Sequence, residues 1–502
     1  MEIDIGRILT KRAQLSSARP AIIADQRRLT FGALEAAANR AANILVRLGV
    51  RAGDRVAVLQ RNCAEYVVLY YAVAKIGAIL CGINWRLAGP EIEFILGDAE
   101  PRLLIHSREF EAVAKDLARP GMTVCAADAI DDPLKAQTPD EAPPEYFGQS
   151  DPDRALVLVY TSGTTGRPKG AVLTHRQMFW ASATMAASHD YRHGDVNMVP
   201  TPLFHVGGLS FVTLFVHMGA TLLLPRAWDP GAALQLIAAE RVNHFFAVPT
   251  MLRSLCEHAG FATADLTSLR WILSGGSALA PDLIDAFAAR GLLLQQTYGA
   301  TETAGPATLV DPDHVARKPG SAGIPYFHTD IRIAGPQGAT LLPGDVGEVQ
   351  VRAPHVFAGY WRNPEASAAA FAGDWLKTGD LGRQDADGYL YIVDRAKDMI
   401  LSGGENIYPA EIEAVLAHHP EIAEVAVVGL ADPHWGEVPC AVVVPKPGCR
   451  PNLQELQQRC ETALARYKIP RRFEFRELPL PRNATGKLLK HEIRAALIRG
   501  QR

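Results

Sequence analysis

The chain has 502 residues, 51 Lys and Arg against 54 Asp and Glu, with 48% hydrophobic and 21% charged residues. That length allows about three structural units, and the apolar share is that of ordinary globular proteins, so a disordered chain, a collagen-like repeat and a disulfide miniprotein are excluded. A formal charge of −3 lacks the basic excess of a general nucleic-acid binder, and no nucleic-acid partner is expected.

From the N-terminus, Met1-Glu2-Ile3-Asp4-Ile5-Gly6 has no basic segment followed by an apolar one, so no signal peptide is expected. Helical spacing over Phe31–Leu48 is followed by a strand pattern over Arg55–Gln60, a helix over Cys63–Ile76 and a strand over Ala78–Cys81. The apolar stretch Val67–Ile83 is broken by Lys75, Gly77 and Gly82, too short and interrupted for a membrane span and better read as a buried helix and strand. The rhythm returns with a strand over Ala155–Val159, a helix over Leu234–Ala239, strands over His244–Ala247 and Leu269–Leu273, and a helix over Pro281–Ala289. Such alternation predicts an α/β fold with layered parallel sheets.

From about residue 321 the texture becomes β-rich, with strands expected over Thr329–Ile333, Gly347–Arg352 and Gly388–Val393. After about residue 398 an α+β unit follows: helix Pro409–His418, strands Ala423–Gly429 and Cys440–Val444, helix Asn452–Arg466, strand Phe473–Glu477 and a last helix from about Leu488. The expected division is a large N-terminal domain over 1–396, with its β-rich subdomain at about 321–393, and a small mobile α+β C-terminal domain over 397–502. Seven cysteines, an odd count with no C-x-x-C pair, predict a reduced, cytoplasmic protein without a zinc site.

The sharpest local feature follows the strand Ala155–Val159: Tyr160-Thr-Ser-Gly-Thr-Thr-Gly-Arg-Pro-Lys-Gly170. Glycines permit close backbone approach, amides and hydroxyls donate hydrogen bonds, and Lys169 adds positive charge, which together suit a phosphate. It is not a Walker A loop, since Pro168 precedes the lysine, and no G-x-G-x-x-G marks a dinucleotide fold. Glu302 offers a hard oxygen ligand suited to Mg²⁺, with Thr301 beside it. Asp380, in Thr378-Gly379-Asp380, can accept two hydrogen bonds; the plainer reading is an Asp in a turn paired with a nearby Arg.

The loop resembles the signature of the AMP-forming acyl-CoA synthetases of the acyl-adenylate-forming (ANL) superfamily, which includes fatty-acyl-CoA and 4-coumarate or aryl-CoA ligases. Four more segments match in family order: Tyr298-Gly-Ala-Thr-Glu302, Trp375–Gly382, Asp394–Pro409 and Pro481–Leu488. The resemblance spans essentially the whole chain. It implies an acid–thiol ligase that uses ATP and Mg²⁺ to form an acyl-adenylate and pyrophosphate, then passes the acyl group to CoA. It implies that Lys487 bridges the carboxylate and the α-phosphate, and that Lys169 with Thr161, Ser162, Gly163, Thr164, Thr165 and Gly166 holds the other phosphates. Tyr298, Gly299 and Gly276 would lie at adenine, Asp380 and Arg395 at ribose, Lys397 at the hinge, and Gly403, Gly404 and Trp435 at CoA.

In relatives the counterpart of His205 lines the acid pocket, with Gly275, Ser277, Thr297 and Ala300 on the matched segments. No arginine occurs there, against a dicarboxylate, and no aspartate is placed to grip an amino group. Thr297 stands where relatives often carry Gly and is expected to shorten the pocket or favour a substituted aromatic acid. Gly299 argues the other way, because acetate-specific relatives place Trp there. The expected acid is a medium- or long-chain fatty acid, with an aryl or cinnamic-type acid, or loading of a carrier protein, as alternatives. Peripheral contact with a membrane is left open.

Overall fold

The computed structural model describes residues 3–25, 27–128, 141–144, 151–161, 168–396, 398–402, 405–482 and 488–500. They divide into two compact units, 1–331 with 351–376, and 332–350 with 377–502. The fold is mixed α/β with parallel sheets, as the alternating pattern predicts.

In the first unit a seven-stranded sheet runs in the order Gly359–Tyr360, Lys169–Thr174, Ala155–Thr161, Ile79–Gly82, Arg55–Leu59, Leu103–His106, Thr123–Ala126. Its central strands are parallel, with Val56 opposite both Leu80 and Leu103, and apart from Arg55 and His106 at their ends they are apolar, as strands covered on both faces are. Helix Phe31–Arg47 starts on Thr30, whose side chain accepts from the N–H of Ala33, and is followed by Gly49 at φ +86°. Helix Ala64–Lys75 is buried at nearly every position and leads into strand Ile79–Gly82, as the broken apolar run predicts. Lys75 is enclosed with it, its Nζ 2.8 Å from both Glu35 Oε1 and Thr10 Oγ1, so the interruption in the sequence is an internal ion pair.

A nine-stranded sheet in the same unit has the order Ile324–Pro325, Thr308–Leu309, Leu294–Tyr298, Trp271–Ser274, His244–Ala247, Val196–Met198, Thr221–Leu223, Pro20–Ala24, Arg27–Thr30. Its middle is parallel, and the loops after Ser274 and Tyr298 leave its carboxyl edge together. Helices His175–Ser188 and Val206–Met218 have no counterpart in the sequence reading: the second is apolar all round and carries Gly207-Gly208, which hide its periodicity. Gly208 admits no side chain, since a Cβ there would lie 2.5 Å from the Pro202 carbonyl oxygen.

The second unit contains most of strand Trp375–Gln384, from Lys377 on, paired antiparallel with Leu390–Arg395. The sequence Thr-Gly-Asp hides this strand behind turn-like residues; Gly379 at φ +71° and a bulge between Leu381 and Gly382 absorb them. Beyond it the hairpin Ile422–Asp432 and Gly436–Pro445 is longer than its apolar stretches indicate, and helices Pro409–Ala417, Leu453–Ala463 and Lys490–Arg499 pack with it. Among the described residues no helix is long and apolar enough to cross a membrane.

Candidate functional site

Strands Ala155–Thr161 and Lys169–Thr174 pair antiparallel, with Thr161 opposite Lys169, so the glycine-rich segment joins two anchored strand ends. Ser162, Gly163, Thr164, Thr165 and Gly166 lie outside the described residues, as do Lys397, Gly403, Gly404 and Lys487. The Lys169 Nζ sits 5.3 Å from the ring centroid of Tyr360. The Tyr360 hydroxyl in turn donates to Glu302 Oε1 at 2.8 Å, and burial beside Glu302 holds that phenol well above its ordinary pKa. Tyr360 therefore connects Lys169 and Glu302, a link no sequence motif shows. It gets there because Gly359–Tyr360 pairs with Val172 and Ala171 of the strand that begins at Lys169.

Glu302 lies in a single 3₁₀ turn, Thr301–Thr303, held by the N–H of Ala300 on Thr303 Oγ1 and by the N–H of Phe357 on the Glu302 carbonyl. No cluster of three or more metal-ligating side chains occurs among the described residues. One carboxylate with a tyrosine donor suits Mg²⁺, which keeps waters and phosphate oxygens as its other ligands. Gly299 before this turn is fixed by backbone: a Cβ there would sit 1.6 Å from the Gly305 carbonyl oxygen. Its smallness serves closure of the 299–305 segment. Tyr298 ends its strand opposite Thr308.

His205 precedes helix Val206–Met218, with its ring 4.5 Å from that of Phe204. Its Nε2 is buried and has no hydrogen-bond partner among the described residues. Burial, reinforced by the charge of Arg86, pushes the imidazole down to about 4, so it is neutral at pH 7 and suited to lining a pocket. Phe246 joins this region to the sheet edge: its ring lies 3.4 Å from a Cβ built on Gly207 and 3.3 Å from one built on Gly275. The Gly275 Cβ position is also 3.0 Å from the methyl of Thr297. Gly275 is buried, whereas Gly276, at φ +88°, and Ser277 are exposed just beyond it. The Thr297 hydroxyl donates to the Thr308 carbonyl at 2.9 Å, so its proton is engaged within the protein.

Burial also holds His189 and His355 down to about 3. These lowered values mean that the unfolded chain binds more protons than the folded one below about pH 6.5. Stability then rises with pH through this window and is lost on acidification, by up to about 2 kcal/mol per histidine at pH 5. Thermal melts from pH 7 to pH 5 are expected to show a falling Tm and a shallower slope in His355→Gln; a flat profile contradicts the buried, neutral assignment.

In the second unit Asp380, 7% exposed, faces Arg395 across two strands, with Arg395 Nε 3.0 Å from Asp380 Oδ1. The pair that the plainer sequence reading anticipates is thus present. Asp394 accepts from the N–H of Ala410 at 2.9 Å and so ties the end of strand Leu390–Arg395 to the start of helix Pro409–Ala417. Asp432 Oδ1 accepts from the N–H groups of His434 and Trp435 at 2.9 Å each, which pulls its carboxyl below the ordinary range and fixes the turn. Trp435 remains 38% exposed, with the Arg471 guanidinium 4.9 Å from its ring centroid. Arg471 is another contributor the sequence reading missed; no periodicity connects it to Trp435.

The AMP-binding enzyme profile matches residues 9–361, more than half of the chain, and the profile of that family's C-terminal domain matches 411–487. The chain belongs to the AMP-binding enzyme family. Among curated relatives, this AMP-binding enzyme is 41% identical to a feruloyl-CoA synthase of Amycolatopsis sp over 98% of both chains. It is 39% identical to the long-chain-fatty-acid–CoA ligase FadD13 of Mycobacterium tuberculosis, again over 98% of both. Among solved structures, o-succinylbenzoate CoA synthetase of Bacillus subtilis, in complex with its acyl-adenylate, superposes with a TM-score of 0.89 at 35% identity over 98% of both chains. The anthranilate CoA ligase AuaEII with anthranoyl-AMP gives 0.91 at 28% identity over 100% of this chain and 98% of that one. The AMP-binding enzyme is accordingly an AMP-forming acid–thiol ligase that uses ATP, Mg²⁺ and CoA.

Proposed function

We propose that the acid is an aryl or cinnamic-type carboxylic acid. The observation that carries this reading is the place of the Thr297 methyl, 3.0 Å from a Cβ built on Gly275, a position that also lies 3.3 Å from the ring of Phe246. A branched residue there blocks the extension that a long acyl chain requires and leaves a short wall suited to a planar ring. The similarity to feruloyl-CoA synthase supports it. The fatty-acid reading keeps the support of the 39% identity to FadD13.

In this reading Glu302 holds Mg²⁺ with its free lone pairs, and Tyr360 keeps the carboxylate oriented. The metal supplies charge neutralisation at the phosphates. Lys169 lies beside the departing pyrophosphate, with Thr161 and the residues up to Gly166. Lys487 steadies the two approaching anions, and Asp380 with Arg395 binds ribose. Tyr298, Gly276 and Gly299 form the adenine side, Thr301 meets a phosphate oxygen, and His205, Gly275, Ser277, Thr297 and Ala300 bound the acid. Trp435 with Arg471, and the backbone at Gly403 and Gly404, serves CoA. The domain division is proposed at 396/397, with Lys397 as the hinge. Cysteines that are all free support a reducing, cytoplasmic setting.

The test is pyrophosphate release, with and without CoA, across cinnamic, benzoic and fatty acids of graded length. Cinnamic acids are expected to exceed C12–C16 fatty acids in kcat/KM by at least about tenfold, a difference of roughly 1.4 kcal/mol. Preference for the long chains overturns the aryl reading. Adenylate that forms without a thioester on CoA addition points instead to a carrier protein.

A further inference from the structure

In the proposed reading Thr297 bounds the acid, and what fixes its side chain comes from the neighbouring strand and beyond it. Strand Leu294–Tyr298 pairs antiparallel with Thr308–Leu309, which pairs with Ile324–Pro325, and the next residue, Tyr326, is 3% exposed. The Tyr326 hydroxyl lies 3.2 Å from Thr297 Oγ1 and 3.0 Å from His189 Nε2. His189 follows the end of helix His175–Ser188 and stacks on Trp271, centroids 4.9 Å apart.

The direction of this chain follows from its last acceptor. The Thr308 carbonyl oxygen can only accept, so the single Thr297 hydroxyl proton points to it. Tyr326 must then donate to Thr297 Oγ1, and its own oxygen accepts from His189 Nε2–H. His189 is thereby the Nε2–H tautomer, and every hydroxyl proton in the run has one assigned place. With its oxygen engaged on two sides, Thr297 turns its methyl to Gly275 and Phe246.

We propose that Tyr326 and His189 are positioning residues that set acid selectivity by locking Thr297 with its methyl, and not its hydroxyl, on the acid pocket. The proposal rests on the reading that Thr297 bounds the acid. Neither residue touches substrate; they act through the rotamer of a third. An apolar wall at this point favours acids whose distal end is apolar and rejects those that need a hydrogen bond there.

The experiment measures kcat/KM for 4-methoxycinnamic and 4-hydroxycinnamic acids, and KM for ATP, in the wild type, Tyr326→Phe, Thr297→Val and the double variant. Tyr326→Phe is expected to lower the methoxy-to-hydroxy ratio about fivefold through the acid KM, because the Thr297 oxygen then keeps only its bond to the Thr308 carbonyl and its rotamer loosens. KM for ATP stays constant. Thr297→Val keeps the shape without the hydroxyl, so adding Tyr326→Phe to it leaves the ratio unchanged. His189→Gln, which retains an N–H donor, holds the ratio closer to wild type than His189→Leu does. An unchanged ratio in Tyr326→Phe, a uniform loss for both acids together with a raised ATP KM, or an effect that persists beside Thr297→Val each overturns the proposal. If the wild type accepts neither cinnamic acid, the aryl reading fails, and the same variants assayed with decanoic and hexadecanoic acids test the positioning by their chain-length ratio.

Discussion

Lys487→Ala is expected to lower acyl-adenylate formation by at least about a thousandfold while sparing thioester formation from preformed acyl-adenylate. A carboxylate and an α-phosphate must come together as two anions, and at about 4 Å with an effective dielectric near 20 their repulsion is about 4 kcal/mol. A cation between them removes that barrier, and 4 kcal/mol corresponds to about three orders of magnitude in rate. The thiol attack breaks a mixed anhydride whose charge repulsion has already been overcome, so the same lysine has little to contribute to it. Single-turnover assays of the two half-reactions separate the cases. Equal loss in both assigns Lys487 to general folding or to both steps, and the division of labour fails.

Glu302→Gln is expected to reduce adenylation about a hundredfold and to raise the Mg²⁺ concentration needed for half-maximal rate. The substitution is close to isosteric, and its amide oxygen still accepts from the Tyr360 hydroxyl, so the 3₁₀ turn Thr301–Thr303 keeps its supports. What disappears is the negative charge, which a hard cation with few protein ligands needs most. Tyr360→Phe makes the complementary change: the charge stays and its orientation loosens, with a loss nearer fivefold, the scale of a single hydrogen bond. Titrating Mg²⁺ against pyrophosphate release distinguishes the two. An unchanged metal requirement in Glu302→Gln removes Glu302 from the metal site.

Lys169, Glu302 and Asp380 stand out in the sequence as candidates because each charged side chain sits in a short run of glycine, threonine or serine that has few other uses. The layered α/β fold was legible from apolar runs such as Arg55–Leu59 and Ile79–Gly82, which need no partner to be recognised. Tyr360, Tyr326, His189 and Arg471 were not. Each reaches its place through contacts between elements far apart in sequence, as when Tyr360 comes to lie opposite Ala171 or His189 meets Tyr326, and nothing local records those contacts. Gly299 was legible as a small residue but not for its reason, because Gly305, six positions on, supplies the oxygen that excludes a side chain. Strand Trp375–Gln384 was hidden by the very residues, Thr378-Gly379-Asp380, that made its motif recognisable.

The contact between Gly299 and Gly305 also bears on how such an enzyme can change its diet. A single residue separates Thr297 from Gly299, yet the first is held by hydroxyls that can be exchanged singly and the second by main chain that no single codon change can move. If Thr297 bounds the acid as proposed, descendants of this chain, natural or selected in the laboratory, can re-cut that pocket from the side of Thr297, Tyr326 and His189. The Gly299 side is closed to that route until the whole 299–305 segment is rebuilt.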